Sequence, residues 1–357
     1  MENNSRTLRQ QLCISKWKAN NCEGIANWIT GSGKTNIGLL AIHGMSMDSN
    51  IIIIVPTEVL KEQWLEVTKE YFLWNIEIII VNTAIKNNYS CDLLIIDEIH
   101  VCGAETFRNI FDTISYNYIL GLTASIKRAD GEEKLILEKA PIIDVVTEEE
   151  ALANNWISPY DVYVLYVQFT PEERKQYLVA DNKVKYCMAN FGMTGSYKAI
   201  GVRKHLCYNA VNKLQTVQDI LNYFKERKTI VFSKSTEFAD RLQKVIGDEC
   251  VLYHSKKSKE FNKEAVKEFS EGTKRVISSV TALNAGVDVP DCSLGIIASG
   301  DSTDLTNTQQ KGRILRWIEG KRAIIIYLCV ENSVEVSWIN KKLKGKVTYI
   351  KNVNEII

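Results

Sequence analysis

The hexapeptide at 30–35, Thr-Gly-Ser-Gly-Lys-Thr, is the feature that most constrains what this chain can fold into. An apolar stretch at 24–29 precedes it, and residues 36–42 continue with helical periodicity. A glycine loop between a buried strand and a helix directs its backbone amides and the positive end of the helix at one point, where phosphate oxygens bind. The stretch therefore predicts a site for a nucleoside triphosphate.

Two residues of this loop have specific expected roles. Lys34 would neutralise the β- and γ-phosphates, and the hydroxyl of Thr35 would ligate Mg²⁺. Trp28 departs from the usual pattern, which has glycine or another small residue five places before Gly33. The residues expected to contact the nucleotide are Thr30, Gly31, Ser32, Gly33, Lys34 and Thr35.

Two acidic residues follow the apolar run 93–96, about sixty residues after the glycine loop. Asp97, at the carboxyl end of a buried strand, would lie beside the Mg²⁺ held by the loop, so we expect it to bind the metal. Glu98 is placed to act as the general base for an attacking water. Acids at strand ends are also common helix caps, but the glycine loop upstream favours the catalytic interpretation.

The composition is that of a soluble globular protein, with 45% hydrophobic and 24% charged residues, and 357 residues suffice for two domains. No apolar run reaches the roughly 18 residues of a membrane span, and the polar first six residues do not resemble a signal peptide. The nine cysteines include no C-x-x-C pair, which predicts neither a zinc site nor a disulfide framework. We therefore expect a monomer of the cytoplasm, or of the host cytoplasm if a phage encodes it.

The charge is distributed unevenly along the chain. Residues 1–150 contain 13 basic and 21 acidic side chains, and 151–357 contain the remaining 31 basic and 22 acidic ones. A basic half can follow a phosphate backbone. Lysines on solvated helix faces account for the same excess equally well.

Apolar runs alternate with helical segments over most of the chain. In the first half the runs at 51–55, 76–81, 93–96 and 118–122 are typical of buried parallel strands. Helical spacing occurs at 58–74 and 106–115, and apolar runs recur at 162–169, 229–232, 251–253, 276–278, 294–298 and 324–328. This alternation predicts an α/β protein with two parallel sheets in tandem.

A connector and a helical stretch separate the two alternating regions. Pro171 and the two acids after it favour the start of a helix, which would run, with a loop at 191–196, to about Lys225. We predict a first domain at 1–146, a linker at 147–160 and a second domain at 161–357, with a helical insert at about 171–225.

The order of these motifs resembles that of superfamily 2 helicases. Residues 97–100, Asp-Glu-Ile-His, resemble the D-E-x-H box, and 121–125 resemble the (S/T)-A-T motif with Ser125 in place of the usual threonine. The resemblance implies two RecA-like lobes that close on ATP and Mg²⁺. It also implies that His100, Thr123 and Ser125 couple the state of the nucleotide to movement of the nucleic acid.

The second half carries matching motifs in the family's order. Residues 230–233 resemble the strand that opens the second lobe, 278–290 resemble motif V with Ala285 before the glycine, and 309–316 resemble Q-R-x-G-R-x-x-R with Gln310 replacing the first arginine. Together with the first half, the resemblance extends over about residues 6 to 340.

This resemblance assigns catalytic roles within the second half. Gln309 would link the γ-phosphate to the nucleic-acid site. Arg313 and Arg316, three apart on a predicted helix, would face one way and stabilise the charge of the transition state when the lobes close. Residues placed at the nucleotide by the resemblance are Gln10, as a reader of adenine, with Gly286 and Asp288.

Nucleic-acid contacts are expected mostly from small hydroxyl residues at loop or strand ends, which suit phosphate oxygens and carry little sequence information. A local capping role explains each hydroxyl equally well when it is taken singly. The basic helical insert at 171–225 has three open interpretations: an element that separates strands, an element that grips a duplex, or a segment that only packs against the second domain. The residues expected to contact the strand are Thr57, Gln63, Thr83, Ser233, Ser279 and Thr281.

Residues 123–131, 148–151 and 157–160 are similar to the XPB-like and phage UvsW-like branch of superfamily 2. The resemblance implies an ATP-dependent DNA helicase or translocase that acts on single-stranded, branched or forked DNA in repair, recombination or replication. Members of that branch usually carry an amino-terminal DNA-binding domain for which this chain has no room, so we expect a recognition partner.

Two other functions fit the same motifs. The D-E-x-H box is shared with RNA helicases and with the motors of restriction systems, and only the segment after Ser125 argues against RNA. The departures at Trp28, Ala285 and Gln310 also fit a nucleic-acid clamp or annealing factor that switches on ATP without unwinding.

Overall fold

In the computed structural model, two parallel sheets of six and seven strands form the cores of two compact units. The first unit is Met1–Ser158 with the described part of Leu305–Glu319, and the second comprises the described parts of Pro159–Leu283, Val289–Asp304 and Gly320–Ile357. The structure describes residues 2–71, 75–127, 131–280, 292–300, 312, 314–343 and 347–356, with backbone alone at 2–4 and 342.

The first unit contains a six-stranded sheet in the order β3-β2-β4-β5-β1-β6, and all of its strand pairs are parallel. Its strands are β1 (Glu23–Trp28), β2 (Asn50–Val55), β3 (Asn75–Ile80), β4 (Tyr89–Asp97), β5 (Ile114–Thr123) and β6 (Ile142–Val146). Its helices are α1 (Glu2–Ala19), α2 (Lys34–His43), α3 (Glu58–Val67), α4 (Val81–Ala84), α5 (Ile110–Thr113), α6 (Glu133–Lys139) and α7 (Glu148–Ala153).

Strand register brings three carboxyl ends together at one edge of this sheet. Asp97 at the end of β4 pairs with Leu122 of β5, and Thr123 at the end of β5 pairs with Asn27 of β1. The apolar runs in these strands are buried, as expected for a parallel sheet covered on both faces. The glycine loop after β1 and the acids after β4 therefore lie at the same edge.

The second unit contains a seven-stranded sheet in the order β13-β7-β12-β11-β8-β10-β9, again parallel throughout. Its strands are β7 (Tyr160–Val167), β8 (Thr229–Ser233), β9 (Cys250–His254), β10 (Val276–Val280), β11 (Leu294–Ile297), β12 (Ala323–Val330) and β13 (Thr348–Ile350). Its described helices are α8 (Pro171–Tyr208), α9 (Val211–Tyr223), α10 (Thr236–Ile246), α11 (Lys259–Glu271) and α12 (Val334–Lys342).

The long α8 segment is a helical hairpin. It starts at a capping box, in which the Thr170 hydroxyl accepts from the backbone of Glu173. Gly192 is its one non-helical residue (φ 65°, ψ −166°). Asp181 and Arg203, 22 residues apart, form an ion pair of 2.6 Å, whereas a straight helix would separate them by about 33 Å. The chain therefore folds back at Gly192.

The sequence predicted this architecture, but its local predictions at 106–115 and 191–196 were wrong. The tandem parallel sheets and the helical insert at the start of the second are confirmed. The helix predicted at 106–115 is limited to α5, because Ile114 and the tyrosines after it extend β5 along β4. The loop predicted at 191–196 is wrong, since only Gly192 leaves the helical conformation. Among the described helices, none is long and apolar enough to cross a membrane.

A buried ion pair joins three elements of the second unit. Lys213 on α9 is fully buried, and its Nζ lies 2.8 Å from Glu335 Oε1 on α12 and 2.7 Å from the carbonyl oxygen of Ala298 after β11. Glu335 also accepts from the backbone N–H of Val330 at 2.9 Å. Every polar atom of the pair thus has a partner, as a buried charge requires.

A second buried carboxylate fixes α1 against the first sheet. Asp144 on β6 accepts hydrogen bonds from Arg9 and Lys16 of α1 and from the indole N–H of Trp28, the last at 2.9 Å. Arg9 also bonds Glu150 of α7 at 2.8 Å. Burial would raise the pKa of Asp144, but these hydrogen bonds lower it below its usual value.

We predict that Asp144→Asn lowers the free energy of unfolding by about 2 kcal/mol at pH 7, because Lys16 and Arg9 keep their charge and lose the buried carboxylate they share, although Arg9 retains Glu150. A lowered pKa means that this stability is present above the unfolded-state pKa and is lost as the pH falls through the folded-state pKa. The difference from wild type, measured by urea unfolding, should therefore narrow below about pH 4. Asp48→Asn, at an exposed acid of the same unit, is the control.

Candidate functional site

The glycine loop has the backbone geometry that phosphate binding requires. Gly31 and Gly33 have φ of 86° and 96°, and Lys34 begins α2 directly after Gly33. A Cβ at Gly33 would lie 2.5 Å from Nε2 of Gln10, which donates a hydrogen bond of 3.1 Å to the Gly33 carbonyl oxygen. The left-handed φ therefore favours glycine at this position, and a larger residue would also displace the Gln10 side chain.

Trp28 is compatible with this loop because its side chain packs away from it. The indole is fully buried, stacks on Trp156 at 6.2 Å between ring centroids and lies under the Arg9 guanidinium at 5.1 Å. Its N–H donates to Asp144. Only the backbone of Trp28 faces the loop, where its carbonyl oxygen accepts from Nζ of Lys34 at 3.1 Å.

The acid pair lies at the end of β4 beside the loop. Asp97 is buried, with Oδ2 accepting from the indole N–H of Trp64 at 2.9 Å and Oδ1 from the backbone N–H of Glu98 at 3.0 Å. Glu98 adopts a left-handed conformation (φ 53°, ψ 48°). Such a conformation is strained for a residue with a Cβ and is found most often at functional sites.

The pKa values of the two carboxyl groups shift in opposite directions, although burial acts to raise both. Burial raises the pKa of Asp97 to about 6, and repulsion from Glu98 adds to this, although Trp64 and Lys34 act in the opposite direction. Burial also acts to raise the pKa of Glu98, but the His100 ring and the Lys34 ammonium bring it below its usual value. Glu98 is therefore ionised at neutral pH, as a general base must be.

The three residues predicted to couple nucleotide and strand lie together. Nδ1 of His100 is 3.0 Å from Oγ1 of Thr123 and 3.3 Å from Oε2 of Glu98. The Thr123 hydroxyl also donates to the carbonyl oxygen of Ser125 at 3.0 Å. The end of β5 is thus connected through His100 to the acid pair.

Three buried oxygens at this edge form no hydrogen bond within the described part of the chain: Oδ1 of Asn27, Oγ1 of Thr30 and Oε2 of Glu98, the last of which has the His100 ring 3.3 Å away. Unpaired buried polar atoms are costly in a folded protein unless a ligand or water completes them. The donor set around them fits Mg²⁺–ATP, because Lys34 and the loop amides suit phosphates, while Thr35 and Asp97 are oxygen ligands of the kind Mg²⁺ prefers.

Part of the second-half motif 309–316 lies within the first unit. A Cβ built on Gly312 would lie 2.1 Å from Cγ2 of Thr30, so only glycine fits there. The prediction of a helix at Arg316 is wrong, since this residue forms an antiparallel bridge with Ile157. Ser158 holds the segment there: its N–H donates to the Leu315 carbonyl oxygen, and its hydroxyl donates to that of Arg316 and accepts from the N–H of Ile318. The Arg316 side chain is exposed. Predicted site residues outside the described ones are Thr281, Gly286, Asp288, Gln309 and Arg313.

The predicted strand-contacting residues occupy different environments. Thr57 caps α3 and accepts from the backbone N–H of Leu60 at 3.3 Å, and Thr83 is exposed on α4. Gln63 is half-buried on α3, and Ser233 and Ser279 are buried in β8 and β10. Their contact with nucleic acid stays a prediction.

Two features of the structure did not come from the sequence motifs. The first is the contact of Trp64 with Asp97, which the spacing of 33 residues does not reveal. The second is a cleft of about 500 Å³ in the second unit, between the end of the α8 hairpin and the start of α10. Four basic side chains line it, Lys204, His205, Lys234 and Lys256, together with one acid, Glu237, which lies 3.5 Å from His205. Its sequence indications were the basic helical insert, which contains Lys204 and His205, and the basic stretch at 256–259.

The fold and the site together define a phosphate-loop ATPase with two RecA-like sheets. Three family models match its sequence: DEAD/DEAH box helicase over 7–90, type III restriction enzyme res subunit over 80–128, and helicase conserved C-terminal domain over 212–318. In both units its sequence is thus similar to the DEAD/DEAH-type helicases of superfamily 2, and the protein is an ATP hydrolase.

Curated relatives include proteins of the XPB type. The DNA 3'-5' translocase XPB2 of Sulfurisphaera tokodaii is 29% identical over 353 residues, which cover 87% of this chain and 79% of that protein. The DNA 3'-5' helicase XPB of Mycobacterium tuberculosis is 27% identical, with coverage of 69% and 42%. A 51.5 kDa protein of a Lactococcus phage is 25% identical, with coverage of 66% and 48%. The chain thus spans most of the first relative and less than half of the other two.

Solved structures confirm the tandem RecA-like fold. Dbp5 of S. cerevisiae bound to RNA and ADP BeF3 aligns with a TM-score of 0.66 at 14% identity, over 96% of this chain and 89% of that one. The helicase domain of Pyrococcus furiosus Hef aligns with a TM-score of 0.57 at 12% identity, over 94% and 97%. At these identities the likeness is one of fold.

We predict that Glu98→Gln binds ATP normally and hydrolyses it at least about 100-fold more slowly, because the amide cannot accept the proton of the attacking water. Lys34→Ala should instead lose ATP binding, because the charge on the phosphates goes unopposed. Binding of a fluorescent ATP analogue and release of phosphate separate the two effects. Lys86→Ala, at an exposed lysine of the same unit, should match wild type in both. Normal turnover by both site variants would contradict the assignment.

Proposed function

We propose that this protein is an ATP-dependent motor that translocates along DNA or unwinds it, with Mg²⁺ as its metal. The observation that carries the proposal is the convergence of the glycine loop, the acid pair and the His100–Thr123 contact at one edge of the first sheet. The XPB-type relatives, described as DNA 3'-5' translocase and DNA 3'-5' helicase, support DNA as the substrate.

The chemistry of hydrolysis follows from the residues at this edge. Thr35 and Asp97 would hold Mg²⁺, which neutralises phosphate charge when bound. Lys34, which donates to the Trp28 carbonyl oxygen, would turn to the phosphates instead. The ionised Glu98 would take the proton from the attacking water, with the His100 ring 3.3 Å from its Oε2.

We propose that His100 carries the state of the site to β5. It lies 3.3 Å from the general base and 3.0 Å from Oγ1 of Thr123, so a change at Glu98 alters the hydrogen bond that orders the Thr123–Ser125 turn. A discrete hydrogen-bonded element of this kind can have two arrangements, which a motor requires. Gln309, Arg313 and Arg316 would complete the site from the second-half motif.

We propose that the basic cleft of the second unit binds phosphates of the nucleic acid. Its lysines come from three segments, and it opens at the start of α10, where the positive end of an 11-residue helix favours an anion. Lys256 Nζ already lies 2.9 Å from the Thr236 hydroxyl in the first turn of that helix. The excess of basic residues in 151–357 agrees with this assignment.

The α8 hairpin is the second proposed contact with nucleic acid. Its fold at Gly192 is surrounded by exposed apolar side chains, and lysines lie along both arms. Aromatic side chains next to cationic ones are the combination that stacks on bases while holding the backbone. The exposed apolar residues near the fold are Tyr186, Met188, Phe191, Met193 and Tyr197.

The test of the function is ATPase activity with single-stranded DNA, duplex DNA, forked DNA and RNA at matched salt. We expect DNA to stimulate hydrolysis, and we expect the protein to displace one strand from forked DNA. Stimulation by RNA alone would instead identify an RNA helicase, and stimulation by DNA without displacement or translocation would identify an ATP-switched clamp. We propose a role in DNA repair or recombination, in which a recognition partner directs the motor to branched DNA.

We predict that the double variant Lys204→Ala, Lys256→Ala weakens binding to DNA about equally for every sequence, because phosphate contacts carry no sequence information. The slope of log Kd against log salt should fall by about 1 to 2, one for each phosphate that the two lysines neutralise in the wild type. Fluorescence anisotropy with a labelled oligonucleotide at several salt concentrations measures both quantities. Lys263→Ala, at an exposed lysine of α11 outside the cleft, should leave the slope unchanged.

A further inference from the structure

Trp64 connects α3 to both phosphate-site segments of the first unit. The residue is fully buried, and its indole N–H donates to Oδ2 of Asp97 at 2.9 Å. The far edge of the same ring packs on α2, where a Cβ built on Gly38 would lie only 2.6 Å from Cη2 of Trp64. One side chain therefore touches the helix that follows the glycine loop and the carboxylate that would hold Mg²⁺.

The acceptor for the indole N–H of Trp64 is a carboxylate rather than a backbone carbonyl oxygen. A buried indole needs one acceptor, and a backbone carbonyl oxygen suffices, as for Trp17, which donates to Ile119 at 2.9 Å. Trp64 instead donates to a carboxylate whose other oxygen accepts from the backbone of Glu98. With one donor on each oxygen, the plane of the Asp97 carboxylate is fixed before any ligand binds.

We propose that Trp64 is a positioning residue for the metal: its indole N–H orients Asp97 so that Mg²⁺ binds with the nucleotide. This inference rests on the proposed ATP site. Partners in the outer shell of a metal ligand orient it, and their loss typically weakens metal binding 10- to 100-fold. The phosphate contacts of Lys34 and the loop amides do not involve Trp64, so nucleotide binding without metal is independent of it.

The test compares Trp64→Phe with Trp17→Phe. Both replacements keep a buried aromatic ring and remove one indole N–H of the first unit. Mn²⁺ replaces Mg²⁺ as the probe, and electron paramagnetic resonance measures its affinity in the presence of saturating ADP. The affinity for ADP in EDTA is measured separately with a fluorescent analogue.

We expect Trp64→Phe to weaken Mn²⁺ binding about tenfold, and Trp17→Phe to change it less than about twofold. ADP affinity in EDTA should match wild type in both variants. Equal Mn²⁺ affinity in Trp64→Phe and wild type would overturn the inference, and so would a parallel loss of ADP affinity in EDTA, which a purely structural role would produce.

A third variant separates the N–H from the packing of the ring. Trp64→His keeps a ring N–H in a smaller side chain, so we expect it to be less stable to heat than Trp64→Phe and to bind Mn²⁺ more tightly. The reverse order of Mn²⁺ affinity would show that ring volume, not the N–H, sets the site. Wild-type protein that binds neither ADP nor Mn²⁺ would instead refute the ATP site itself.

Discussion

The first unit depends on keeping two adjacent carboxyl groups, Asp97 and Glu98, inside the protein. Burying such groups is unfavourable unless hydrogen bonds or charges compensate. Here Trp64 and a backbone N–H satisfy Asp97, and Lys34 opposes the negative charge of both acids. Glu98 has the His100 ring 3.3 Å from its Oε2, and its backbone is in a left-handed conformation. The expected metal ligand therefore has a donor on each oxygen, and the expected general base contacts the ring that leads to β5.

The elements that the sequence predicted best are those whose physics is local. A glycine loop needs only its neighbours in the chain, and Asp97 with Glu98 needs only the apolar strand before it, so both appeared in the expected places. The parallel sheets followed from apolar runs that are buried on two faces. Whether residues 106–115 form a helix depended instead on pairing with β4, which the segment's own helical spacing does not contain.

The features that the sequence did not predict depend on contacts between distant segments. Trp28 departs from the usual sequence of the loop, and its partner Asp144, which accepts from the indole N–H, lies 116 residues later. Trp64 follows Gln63, a predicted strand contact, and its indole N–H reaches from α3 to Asp97 at the end of β4. Arg316 lay in a motif expected to be helical, and pairing with Ile157 overrides that preference. In each case tertiary pairing decides the conformation or the role.

The network around Asp144 has a consequence for how the first unit is made. During synthesis α1 leaves the ribosome before the edge strand β6, so Arg9 cannot pair with Asp144 until 135 further residues have been made. The Ser158 hydroxyl likewise cannot bond the carbonyl oxygen of Arg316 until 158 further residues have been made. Closing such distant pairs is slow compared with forming local helices. During synthesis the nascent amino-terminal helix has apolar faces without their native cover, a state that chaperones bind and that favours aggregation at high expression.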